Sequence, residues 1–206
     1  CSSDLPPDLG IINYRYTAEE YIMNIFVLDI NPVTAAQMQC DKHVVKMIVE
    51  SAQMLSTAHR MIDGYLEKRP SKSGKRMVDY WVHPRQEMEE NLYKAVHHKH
   101  PCTVWTQESV YNYRWHYDHF CALLNEYTYR YDKTHSTEKL KFWLAPVPRR
   151  IPQVKWTEFP LAMQHEPQCI HEGQTVRSYR EYYQTKQDRF KMVWTKRPVP
   201  EWFNVA

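Results

Sequence analysis

The sequence predicts a mainly α fold: a single-domain helical bundle with a short N-terminal extended segment and a Pro-rich irregular connection. Three observations predict it. Apolar residues recur at helical spacing over two long stretches, 41–62 and 110–131. Prolines 146, 148, 152, 160 and 167 crowd a segment without such periodicity. With 206 residues the chain can bury one sizeable core but falls short of two ordinary domains, and 43% hydrophobic with 25% charged residues is the composition of a chain that folds.

The elements follow in order. Residues 1–22 lack the later periodicity and begin with Cys1, so they are expected to be a non-native or disordered extension, with a native start at Met23 and one helical domain over 23–206. The apolar run Asn24-Ile25-Phe26-Val27-Leu28-Asp29 reads as a strand. Asn31-Pro32 is a helix start, an N-cap side chain followed by proline at the first helical position. Over 41–62, Val44, Met47, Ile48, Ala52, Met54, Leu55, Ala58 and Ile62 fall on one face at 100° per residue, and His43, Lys46, Glu50, Gln53, Thr57 and Arg60 on the opposite, solvated side. Asp63-Gly64 closes this helix. The basic segment 67–76 holds both Pro and Gly and is expected to be a loop able to touch phosphate through Lys72, Lys75 and Arg76. Further helices are expected over about 85–99, from Pro101, over 110–131 and over 176–194, with an aromatic tail at 198–203. In the 110–131 helix Tyr111, Trp115, His119, Ala122, Glu126 and Tyr129 trace one stripe, read as core.

Composition removes several function classes. Average usage would give roughly 14 Gly, and the chain has 4. Gly-rich phosphate loops and dinucleotide fingerprints therefore have almost no raw material. No apolar run is long enough for a membrane span, and no signal-peptide pattern occurs. Five cysteines, odd in number and without a C-x-x-C pair, suggest a reduced, cytoplasmic protein. Aromatics reach 14% and the net charge is +3, a balance that suits nucleic acid and equally an ordinary helical core.

No G-x-S-x-G elbow, H-E-x-x-H or D-x-D-x-D loop is present. The run His97-His98-Lys99-His100-Pro101-Cys102 offers zinc-type ligands but lacks a second cluster at finger-like distance, so no metal and no cofactor are expected; His59 reads as a satisfied core histidine. What remains is the face with His43, Lys46, Glu50 and Gln53, where a carboxylate between cations suits proton transfer or stabilisation of a developing positive charge.

Met23 to Leu55, with Asp41-Lys42-His43 and, seven residues on, Glu50-Ser51-Ala52-Gln53-Met54-Leu55, resembles the amino-terminal region of the pyrimidine-dimer DNA glycosylase (endonuclease V type) family and its bacterial and phage relatives. His100-Pro101 with Trp105, and Ser178-Tyr179-Arg180-Glu181-Tyr182-Tyr183, are similar to further segments of those relatives. The resemblance implies a glycosylase and abasic lyase acting on double-stranded DNA at a damaged pyrimidine, in the cytoplasm of a bacterial or phage-infected cell. It implies Glu50 as the catalytic carboxylate, and an amine that attacks the sugar C1′ and forms a Schiff base. The family's nucleophile is the α-amine of a small residue, here replaced by Asn24, so the amine would belong to Met23 or to a lysine such as Lys46 or Lys42. Val49 and Ser51 stand where the family carries arginines. Substrate contacts are expected from His43, Lys42, Gln53, Arg60, Lys72, Lys75 and Arg76. Two other classes fit the same residues: a non-catalytic nucleic-acid-binding protein, and an enzyme acting on free or modified nucleotides.

Overall fold

The computed structural model describes residues 23–205, so the expected extension at 1–22 lies outside the described residues. Among the described residues, seven α-helices and one small hairpin are built around a core cluster. Helix α1 (Pro32–Gln37) starts where the N-cap logic places it, with Asn31 Oδ1 accepting the N–H groups of Val33 and Thr34 at 2.9 and 3.1 Å. Helix α2 (Asp41–Asp63) is the central element. A hairpin of β1 (Tyr65–Pro70) and β2 (Met77–Val82) follows, antiparallel, with Tyr65 opposite Val82 and Pro70 opposite Met77. Then come α3 (Gln86–Asn91), α4 (Pro101–Glu108), α5 (Val110–Tyr131), α6 (Lys141–Leu144) and α7 (Thr175–Gln184). Helix α2 packs on α5 and α4, and α1 also lies on α5. None of the helices in the described residues is long and apolar enough to cross a membrane.

Both long helices and the irregular connection over 145–167 lie where the sequence puts them. Five expectations need correction. Residues 24–29 pair with no strand: Phe26 has φ +42°, and the Leu28 N–H donates to the Phe26 carbonyl, a tight turn incompatible with a ladder. The segment 67–76 is part of the hairpin, and only 71–76 turn, with Gly74 at φ +71°. The 85–99 helix stops at Asn91, because the backbone beyond it is taken by α2 side chains. Ser56 Oγ accepts from the Tyr93 N–H, Thr57 Oγ1 accepts from the Val96 N–H, and Arg60 donates to the Leu92 and Tyr93 carbonyls. The 176–194 helix ends at Gln184, and the following chain wraps back so that Trp194 Nε1 donates to the Met38 carbonyl. In the α5 stripe, Trp115, His119, Ala122 and Glu126 are buried as expected, but Tyr111 and Tyr129 at its ends are exposed.

Gly64 is required by close approach rather than by φ. A Cβ there would sit 2.2 Å from the Arg60 carbonyl oxygen and 2.4 Å from that of Val82, so the end of α2 and the end of the hairpin meet over a bare Cα.

Candidate functional site

Glu50 lies mid-way along α2, with the extended N-terminal segment drawn across it. One carboxylate oxygen accepts the backbone N–H of Asn24 at 3.2 Å, and the other lies 3.1 Å from Lys46 Nζ one turn earlier. The Asn24 side chain anchors this crossing by accepting from the Ile25 and Phe26 N–H groups and donating to the Ala162 carbonyl. Burial pushes the Glu50 carboxyl pKa up, opposed by the charge and hydrogen bond of Lys46 and by the Asn24 N–H. A buried carboxyl whose pKa is raised by burial, held beside a lysine, is of the kind used in general acid-base work.

His43 sits one turn before Lys46 and is buried, stacked on Phe26 at 4.7 Å between ring centroids, with its Nδ1 2.7 Å from the Tyr183 hydroxyl. Burial first, then the charges of Lys46, Lys186 and Lys42, lowers its pKa to about 3. A neutral, buried imidazole is no phosphate contact, which corrects its expected exposure. Lys42 is exposed, its Nζ 4.3 Å over the Phe190 ring, and Gln53 is half-buried.

Arg60, expected on the open face, is enclosed. It donates to the carbonyls of Trp81, Glu89, Leu92 and Tyr93 and pairs with the Glu89 carboxylate. The structure assigns it to holding the hairpin, α3 and the following segment against α2. Lys72, Lys75 and Arg76 are exposed at the hairpin turn. The hairpin leaves α2 at Gly64, roughly 20 Å along the helix axis from Glu50.

No family model, curated protein or solved structure matches the chain.

Met23 is buried, and its neighbour's nitrogen is the one that meets Glu50. The residue missed by the sequence reading is Lys186, in the 3-10 turn after α7. Its ammonium lies 3.5 Å over the Tyr182 ring, and it is only 6% exposed. Burial, then Arg189, holds its pKa down at about 8, with Lys46 contributing in the same direction. An amine of this kind is partly unprotonated near neutrality, the condition for a nucleophile. No motif marks it in the sequence, since the leading cause of its depression is burial, which arises only in the folded chain. At the expected histidine cluster, His100 caps α4 by accepting the Cys102 N–H at 3.2 Å, and burial raises the Cys102 thiol to about 12. A different trio, His59, Asp63 and His83, offers ligand-type atoms within 4.8 Å of one another.

Proposed function

We propose that the chain is a glycosylase and abasic lyase acting through an amine and Glu50 on a modified pyrimidine nucleotide in duplex DNA. The observation that carries this reading is the buried Glu50 carboxyl held between Lys46 Nζ at 3.1 Å and the Asn24 nitrogen at 3.2 Å. In this reading the Lys46 ammonium passes a proton to Glu50. The neutral amine bonds to C1′ as the C1′–N bond to the base breaks, and the base leaves with that electron pair and takes up a proton. The bonded amine then loses a proton as the C1′–O4′ ring bond breaks and O4′ is protonated, which gives the Schiff base, and loss of the C2′ proton then breaks the C3′–O bond and expels the 3′ phosphate. Glu50 moves the protons and stabilises the cationic sugar. The resemblance of residues 23–55 to the dimer glycosylases supports the same assignment, and the basic hairpin tip supplies phosphate contacts for a long ligand.

Borohydride trapping on duplex DNA containing an abasic site tests it. A covalent adduct is expected with the wild-type chain, lost in Lys46→Met and in Glu50→Gln. An adduct that persists in Lys46→Met and disappears in Lys186→Met would transfer the nucleophile to Lys186; no adduct in any form would remove the lyase reading. The exposed tip favours a second reading, duplex binding without chemistry. Replacing Lys72, Lys75 and Arg76 by Gln should weaken DNA binding and lower its salt slope by about 3. If that triple change abolishes binding while Glu50→Gln leaves every activity intact, binding without chemistry is the better account.

A further inference from the structure

We propose that His59, Asp63 and His83 form a binding site for a divalent first-row transition metal ion of the zinc class, open on one side to a cavity of about 180 Å³. The site lies at the C-terminal end of α2, nine residues beyond Glu50, and goes beyond the reading of that carboxylate.

Three independent features point to a cation. His59 and Asp63 stand four residues apart on α2, which sets both side chains on one face, and His83 arrives from the end of β2. His59 Nε2 contacts the Tyr113 hydroxyl at 2.9 Å, and that hydroxyl donates its single proton to the Leu144 carbonyl at 2.8 Å. Nε2 is then the protonated nitrogen, and Nδ1 presents a bare lone pair. Nδ1 is buried and makes no well-formed hydrogen bond, and the Pro146 carbonyl is the acceptor beside the ring that a bound cation has to outcompete. An imidazole whose far nitrogen donates to an oxygen is the arrangement that fixes metal-ligating histidines.

His83 Nε2 is the second buried atom here without a partner. Both histidines are nearly inaccessible, at 2% and 4% exposure, and unsatisfied polar atoms at such depth are costly unless a ligand meets them. The third feature is Asp63, whose two oxygens accept the N–H groups of Arg149 and Arg150 at 2.7 and 3.0 Å, so the carboxylate is already oriented.

One existing bond changes on loading. His83 Nδ1 accepts the Arg85 N–H at 3.2 Å, which places the ring proton on Nε2. Metal at Nε2 moves that proton to Nδ1 with no net release, and the Arg85 amide loses this partner. Two imidazoles and one carboxylate leave a coordination position for water or substrate, as in catalytic rather than structural zinc sites. Arg85, Arg149 and Arg150 line the same cavity, so an anionic oxygen suits that position.

Titration of the chelator-treated chain with Zn²⁺, followed by calorimetry and elemental analysis, with Co²⁺ absorption as the readout of coordination, tests the proposal. One ion per chain is expected, with affinity at least about tenfold weaker in His83→Gln and in Asp63→Asn, and unchanged in His98→Gln, which alters the exposed histidine run. Asp63→Asn also disturbs two backbone amides, so His83→Gln decides if the former fails to fold. Absence of Zn²⁺ binding by the folded wild-type chain, or binding that survives His83→Gln and is lost in His98→Gln, would overturn it.

Discussion

Burial decides the charge of individual side chains in this protein, and three histidines show the consequence for stability. His43, His116 and His119 are buried, and desolvation is the leading cause that lowers each to about 3. His116 Nδ1 meets Thr106 Oγ1 at 2.7 Å, and His119 Nε2 lies 3.2 Å from Gln39 Nε2. Their folded pKa values lie below the unfolded value near 6.5, so between those limits the unfolded chain binds more protons. The stability they support is complete above about pH 6.5 and is lost as pH falls toward 3, by about 1.4 kcal/mol per pH unit for each histidine. Thermal melting followed by circular dichroism should accordingly be flat above pH 7 and fall steeply between pH 6 and 4. His119→Gln should flatten that slope by about one proton; an unchanged slope would count against the buried neutral imidazole. Glu50 acts in the opposite sense, since burial raises a carboxyl. At this scale Glu50 enters as a candidate through the resemblance of residues 23–55, whereas no motif singles out Lys186. Tyr182 and Arg189 lie within four residues of Lys186, but spacing reports neither the burial that leads its depression nor the approach of Lys46.

Among the elements, α2 shows where periodicity misleads. Its apolar face is buried as expected, but His43, Glu50, Thr57 and Arg60 on the supposed solvent face are buried as well, because the hairpin, α3 and the N-terminal segment cover it. Apolar spacing reports one buried face and is silent about a second one satisfied by hydrogen bonds. Arg60 is the clearest case, and Arg60→Ala should destabilise the chain by about 3–5 kcal/mol, since the Glu89 carboxylate and four carbonyls lose their donor. Arg60→Lys should recover little, because an ammonium cannot reproduce the planar fork. Chemical denaturation of both variants measures this, and a loss below about 1 kcal/mol would mean that the hairpin is held by other contacts. The hairpin itself escaped the sequence reading because β1 is exposed along most of both faces, so it has little apolar alternation to detect.

Across the whole molecule, the C-terminal wrap closes the fold through a buried charge network. Arg130, with no exposed side-chain surface, donates to Glu126 at 2.7 Å and to Asp41 at 2.9 Å, and Arg197 adds two bonds of 2.9 Å to Glu126. Thr195 donates to both oxygens of Asp41. The start of α2, the end of α5 and the final segment are thereby joined at one point. Arg130→Ala should cost about 3–5 kcal/mol by removing the buried guanidinium that bridges the Glu126 and Asp41 carboxylates, and limited proteolysis should then cut first within residues 189–203. Cleavage that starts instead in the exposed hairpin turn at 71–76 would show that the wrap is held by its aromatic contacts alone.

The sequence by itself determined the mainly α class, the span of both long helices, the starts at Asn31 and Pro101 and the irregular 145–167 connection. Each of these is written in residues a few positions apart, through caps, proline geometry and apolar spacing. Only the tertiary structure decided that α2 is enclosed on both faces, that the helix after Arg85 stops at Asn91, and that His59, Asp63 and His83 converge. It also decided that an amine depressed to about 8 waits at Lys186. Those outcomes depend on hydrogen bonds and desolvation between groups far apart in the chain, such as Asn24 with Glu50 and Arg60 with Tyr93, and short-range spacing carries no record of such pairs.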